Sequence, residues 1–119
     1  MRKVNLAEKF SLFTEQWSPK IVGEVNDSMV KLCRLEGEFL WHKHEAEDEM
    51  FYVAEGEMEI RFRDQSVFLG PGEFLVIPRG VEHMPVAARE VKCMLIEPKG
   101  TLNTGDVTSE KTKEHLDWI

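Results

Sequence analysis

Cysteine, tyrosine, positive charge and long apolar runs are all scarce in this chain. Its 119 residues include two cysteines and one tyrosine. Cys33 and Cys93 stand far apart, each inside an apolar run of strand character. Buried reduced thiols are therefore expected, not a disulfide framework, since free cysteine is among the most buried residue types. No apolar run approaches the ~20 residues that cross a bilayer, and the basic start Met1-Arg2-Lys3 is not followed by an apolar stretch of signal-peptide length. The expectation is a cytoplasmic protein with no membrane partner. Lys and Arg number 15 against 22 Asp and Glu, a net charge of −7. Such a surface is soluble and acidic and fits a phosphate backbone poorly, so nucleic acid is not an expected partner. Linkers, repeats and low-complexity segments are missing too. The length suits one domain over residues 1–119, large enough for a single core without staples.

What is present changes character near residue 20. Before it, Asn5 is a capping residue with Glu8 three positions on, and Leu6, Phe10, Phe13 and Trp17 recur at steps of four, three and four. This predicts a short amphipathic helix within 1–19, stopped by Pro19, whose apolar stripe covers one face or end of the remaining structure. From residue 20 to 98 the pattern is short apolar runs with turn residues between them. Nine candidate strands follow: Ile21–Val25, Met29–Leu35, Glu38–His44, Glu49–Ala54, Glu57–Arg63, Gln65–Leu69, Glu73–Ile77, Glu82–Val86 and Val91–Glu97. Asn26-Asp27, Gly37, Glu55-Gly56, Gly70-Pro71-Gly72 and Pro78-Arg79-Gly80 supply the turns. Strands without intervening helices predict an all-β antiparallel sandwich or barrel. The tail, 99–119, ends in Trp118 and Ile119 and is expected to fold back and bury both.

The chemistry is concentrated in His42-Lys43-His44-Glu45-Ala46-Glu47-Asp48-Glu49. In extended backbone His42 and His44 point the same way, about 6.6 Å apart along the chain, so two imidazoles can close on one ion. After an acidic turn, whose Glu45, Glu47 and Asp48 read as solvated charge, Glu49 opens the run Met50-Phe51-Tyr52-Val53-Ala54 and can return to the same point from a neighbouring strand. A fourth ligand is available from the later stretch Gly72 to His83. His115, in the charged tail, reads as a surface residue.

These two stretches resemble the motifs of the cupins. The first, G-x5-H-x-H-x3-4-E-x6-G, is met by Gly37, His42, His44, Glu49 and Gly56, with one residue fewer between Gly37 and His42. The second, G-x5-P-x-G-x2-H-x3-N, is met by Gly72, Pro78, Gly80 and His83, with Ala87 in place of the final Asn. Neither departure touches the four ligands. At roughly 5% background per residue type, eight matched positions arise by chance on the order of 10⁻¹⁰ per register. The resemblance is to a small single-domain bacterial cupin. It implies an antiparallel jelly-roll barrel (a double-stranded β-helix) with a short N-terminal helix, one divalent transition metal ion held by His42, His44, Glu49 and His83, and a homodimer.

Three imidazoles and a carboxylate suit Zn, Fe, Mn or Ni better than Mg or Ca, and leave positions for a small-molecule substrate or ligand. Along Glu57–Arg63 the charges alternate with Met58, Ile60 and Phe62, so the interior is expected to be apolar. Phe51 and Val53 share parity with Glu49, as Pro85 and Ala87 do with His83. One of Lys31 or Arg34 is expected to point inward. No general base is found among the inward positions. That favours metal-centred chemistry of dioxygenase, lyase or decarboxylase type over a sugar-phosphate isomerase, which needs Arg or Lys to hold the phosphate. A non-catalytic small-ligand-binding module is the other class, and fold does not choose between them. No DNA-binding or second catalytic domain stands beside the barrel in these residues, which tilts the expectation to an enzyme.

Overall fold

Turn residues cut much of the chain into short strands, and the long strands near its start and end gather them. In the computed structural model, which describes residues 1–119, the elements are α1 Leu6–Phe10, β1 Lys20–Val25, β2 Ser28–Glu38, β3 Glu49–Glu55, β4 Met58–Arg61, β5 Ser66–Leu69, β6 Phe74–Ile77 and β7 Met84–Pro98. All pairings are antiparallel, in the order β1-β2-β7-β3-β6, with β4 joining β7 to β5. One edge of β7 runs against β2 from Ser28↔Pro98 to Glu38↔Val86. Its other edge is shared, β4 taking Met84 to Val86 and β3 taking Lys92 to Ile96. The change of neighbour coincides with a register shift between Leu35 and Gly37, where Gly37 adopts φ +84°, a conformation that costs glycine nothing.

The inward faces of these strands meet in one core that includes Cys33, Leu35, Phe51, Val53, Ile60 and Cys93. The alternation expected for Glu57–Arg63 holds: Met58 and Ile60 are buried, while Glu59 and Arg61 pair at 3.1 Å on the outside. A smaller cluster of Phe10, Phe13, Val22 and Leu32 forms on the opposite face, beneath the N-terminal segment. β2 is thus covered on both sides, with Leu32 facing one cluster and Cys33 the other.

Three expectations need correction. The helix is five residues, Leu6–Phe10, although its cap is as expected, Asn5 Oδ1 accepting from the Glu8 N–H at 2.9 Å. Ser11 donates its hydroxyl back to the Glu8 carbonyl at 2.5 Å, and the chain is then drawn to the sheet, the Trp17 N–H donating to the Arg34 carbonyl at 2.9 Å. So short a helix has little stability of its own, and tertiary pairing overrides the stripe. There are seven strands, not nine. Glu38–His44 pairs at few points: the Phe39 N–H donates to the Pro85 carbonyl at 3.0 Å, but Pro85 has no N–H to return. Glu82–Val86 and Val91–Glu97 are largely one strand, because Ala88, Arg89 and Glu90 continue it as exposed strand. Finally, the tail does fold back, the Ile119 N–H donating to the Ile21 carbonyl at 3.0 Å, yet Trp118 stays 56% exposed.

Candidate metal centre

His42 and His44 lie on the extended segment between β2 and β3, Glu49 is the first residue of β3, and His83 immediately precedes β7. The structure brings all four together. Their relative exposures are 2%, 4%, 4% and 0%, and one donor atom from each falls within 4.8 Å of all the others. Ring centroids are 5.0 Å apart for His42 and His44, and 4.4 Å for His42 and His83. Glu49 Oε1 stands 3.4 Å from His44 Nε2 and 3.3 Å from His83 Nε2.

The rings are oriented by the backbone beside them. His42 Nδ1 is 3.0 Å from the Leu40 carbonyl and His83 Nδ1 is 2.9 Å from the Val81 carbonyl. A carbonyl only accepts, so each Nδ1 carries the proton and each Nε2 presents a lone pair. Backbone anchoring of this kind is how metal-bound histidines are usually held. The segment bearing His42 and His44 is itself pinned by the tail. The Lys43 N–H donates to Asp106 Oδ1 and the Asp106 N–H donates to the Lys43 carbonyl, both at 3.0 Å.

His44 Nε2, His83 Nε2 and Glu49 Oε1 are buried with no hydrogen-bond partner. An unpartnered buried polar group costs about 1–3 kcal/mol, and three that converge on one point form a site a cation satisfies. Donors about 2.1 Å from one ion lie ~3.0 Å apart at a right angle and ~3.4 Å at a tetrahedral one, so the two spacings to Glu49 fit ligands of a common ion. Without an ion, burial and then the neighbouring His83 lower the His42 imidazole to about 4. Burial works against a proton on His44 as well, but the Glu49 carboxylate outweighs it and raises that group.

The cavity beside the cluster is small, about 30 Å³, room for two or three waters at ~10–15 Å³ each. Its walls are mainly apolar, with Leu35, Phe51 and Leu95 deep inside and Trp17 stacked on Phe39 at 4.7 Å between centroids. Trp17 takes φ +56°, uncommon for a bulky side chain, and its indole N–H donates to the Glu36 carbonyl at 3.0 Å.

The structure settles one alternative left open by the sequence and adds one functional candidate that the sequence reading missed. Of Lys31 and Arg34, it is Lys31 that points inward, meeting Glu97 at 2.8 Å with side-chain exposures of 3% and 2%. Arg34 lies on the opposite face of the sheet, donating to Glu90 at 2.5 Å and to the Phe10 carbonyl at 2.8 Å. Glu97 lines the same cavity as His42 and Glu49, which corrects the expectation that no general base is found among the inward positions. A signal for it existed: Glu97 has the parity of Val91, Cys93 and Leu95, all buried. Burial and the adjacent Glu49 charge push its carboxyl well above the ordinary value. Glu49 is held well below, burial being outweighed by Glu97, His44 and His83. Expectations for several other side chains hold. Glu45 and Asp48 are exposed, Asp48 accepting from the Arg79 N–H at 2.9 Å; His115 is 90% exposed; Cys33 and Cys93 are buried free thiols. No helix is long and apolar enough to cross a membrane.

An antiparallel, mostly β fold carrying a buried His-His-Glu-His cluster is the arrangement of a cupin. Residues 32–97, more than half of the chain, match the cupin domain, and the chain belongs to that family. A cupin-2 domain protein from Shewanella frigidimarina has 52% sequence identity and a TM-score of 0.80, over 81% of this chain and 94% of that one. The protein NMB1881 from Neisseria meningitidis has 29% identity and a TM-score of 0.76, over 82% and 100%. Among curated proteins, the uncharacterized protein YdbB of Bacillus subtilis is 43% identical over 63 residues, 52% of this chain and 56% of that relative. The match to YdbB thus spans little more than half of its length.

Proposed function

We propose that His42, His44, Glu49 and His83 hold one divalent transition metal ion, Zn, Fe, Mn or Ni, and that the chain is a metal-dependent enzyme acting on a small organic molecule, of dioxygenase, lyase or decarboxylase type. The observation that carries the reading is the convergence of three unpartnered buried donors, His44 Nε2, His83 Nε2 and Glu49 Oε1, within 4.8 Å of the fourth ligand. An ion bound there supplies Lewis acidity towards a substrate oxygen, and redox chemistry with dioxygen if it is iron. The chain's own residues do the rest. Leu35, Phe51 and Leu95 give the space beside the ion apolar walls, suited to an apolar substrate body, while Trp17 stacked on Phe39 narrows it. Glu97, at the cavity wall with Oε2 unpartnered, is the one carboxyl group outside the ligand set placed to accept or hold a proton near the ion.

A sugar-phosphate isomerase is disfavoured by the fate of the three cations it would use. Lys31 is paired with Glu97, Arg34 with Glu90, and Arg79 with Asp48 at the surface, so none is free to grip a phosphate in the cavity.

Elemental analysis of protein purified without added metal or chelator, with an anaerobic sample alongside, tests the proposal. Near-stoichiometric iron lost in air directs the search to oxygen uptake with small aromatic substrates, and firmly held zinc, manganese or nickel to lyases and decarboxylases. No metal, even after reconstitution, would overturn the reading in favour of a non-catalytic module that holds a small ligand.

A further inference from the structure

Lys31 and Glu97 occupy core positions. On β2 the inward neighbours of Lys31 are Cys33 and Leu35, and on β7 those of Glu97 are Leu95 and Cys93, all buried and apolar. A buried, hydrogen-bonded Lys–Glu pair placed there is not explained by stability, because apolar side chains of similar volume at such sites are often neutral or stabilising by comparison. Nor is the pair self-sufficient: Glu97 Oε1 takes the Lys31 ammonium at 2.8 Å, but Glu97 Oε2 has no hydrogen-bond partner. Its neighbour across the sheet is Glu49: Met50 on β3 pairs with Ile96 on β7, so the next positions are Glu49 and Glu97, and both line the same cavity; Glu49 presents Oε1 to His44 and His83 at 3.4 and 3.3 Å.

Resting on the metal-site reading above, we infer that the Lys31–Glu97 pair is a positioning device for Glu49, fixing its carboxylate so that Oε1 faces the imidazoles. The geometry supplies the mechanism. A glutamate side chain has three torsions and, at the start of β3, only one carboxylate oxygen directed at the cluster. Lys31 holds Glu97, and Glu97 blocks the rotation that would turn Oε1 away. The cavity reaches Glu97 and Glu49 together, so the pair also sets the charge a substrate meets. Outer groups of this sort typically contribute 10–100-fold to metal affinity.

Titration of the metal-free protein with cobalt(II), read by visible absorption and by calorimetry, tests the inference without any substrate. The double variant Lys31→Met/Glu97→Gln leaves no uncompensated buried charge and is the main subject. Glu97→Asp keeps the carboxyl group but withdraws it by one methylene. Both variants should bind cobalt about 10–100-fold more weakly than wild type, with a shifted visible spectrum and with circular dichroism unchanged. A double variant, or a folded Glu97→Asp, with wild-type affinity and spectrum would overturn it. Should the shorter side chain prevent folding, the double variant decides alone. Wild type that takes up no cobalt, or His83→Ala that takes it up normally, would refute the metal site itself, a separate failure.

Discussion

His42 and His83 exchange both of their backbone hydrogen bonds, the His42 N–H donating to the His83 carbonyl at 3.0 Å and the His83 N–H to the His42 carbonyl at 2.9 Å, although neither residue lies in a strand. The bridge brings the two halves of the site together through main chain alone. Their side chains can therefore be removed without cutting the link between the segments. His42→Ala and His83→Ala should fold, with unchanged circular dichroism, yet retain well under one equivalent of metal after dialysis against a buffer without chelator. One full equivalent in both variants would mean that these imidazoles are not ligands.

The tail acts on the same segment from the other side. Gly105 has φ +59°, and a Cβ there would collide with the Lys43 carbonyl and lie 3.1 Å from His42 Cδ2. Neither atom belongs to a flexible side-chain end, so relief requires movement of the backbone between the two histidines. Overpacking of this kind costs about 1–3 kcal/mol. Gly105→Ala should lower the urea midpoint accordingly and weaken metal binding. Wild-type stability together with wild-type metal affinity would show that the tail does not support the site.

How much of this could be read from the residues depends on how local each signal is. His42, His44 and Glu49 were legible because alternation along extended backbone and short spacings carry them, and His83, far along the chain, because Gly72, Pro78, Gly80 and His83 together resemble the second cupin motif. Lys31 could not be told from Arg34 because β2 is covered on both faces. With Leu32 buried under Phe10 and Phe13, and Cys33 buried in the main core, alternation disappears into a continuous apolar run. Glu97 had the right parity but stands next to Pro98 at the end of a strand, where a carboxylate reads as solvated. The stripe through Trp17 overstated the helix because Trp17 belongs to a different partner, Phe39, and periodicity cannot distinguish the two. Lys43 and Asp106 meet across 63 positions, a pairing no local pattern announces.

Cys33 and Cys93 are directly opposed on β2 and β7. Burial raises both thiols far above the ordinary range; the Glu97 charge adds to the effect at Cys33, and the neighbouring Cys33 adds to it at Cys93. The thiolate is the reactive form. A chromogenic disulfide reagent at pH 8 should therefore label neither residue in the native protein, and both once urea unfolds it. Rapid labelling of either in the folded state would place it at an accessible surface, against the burial described.

Acid should destabilise the metal-free protein through His42. In the metal-free protein His42 is held to about 4 from an ordinary 6.5, by burial first and His83 second. A depressed histidine is neutral in the fold, so its contribution is fully present above the unfolded value and is lost as pH falls towards the folded one. Between pH 6.5 and 4 the unfolded chain takes up a proton that the native protein refuses, a difference worth about 3 kcal/mol across the window. His44 and Glu97, both raised, act in the opposite sense, so the total stability of wild type does not isolate the effect. Comparison with metal-free His42→Gln does. The unfolding free energy of wild type relative to that variant should decline by about 3 kcal/mol from pH 6.5 to 4, measured by urea titration at each pH. A constant difference would mean that His42 is free to protonate in the fold, and that its ring does not stand in the buried position that lets it serve as a ligand.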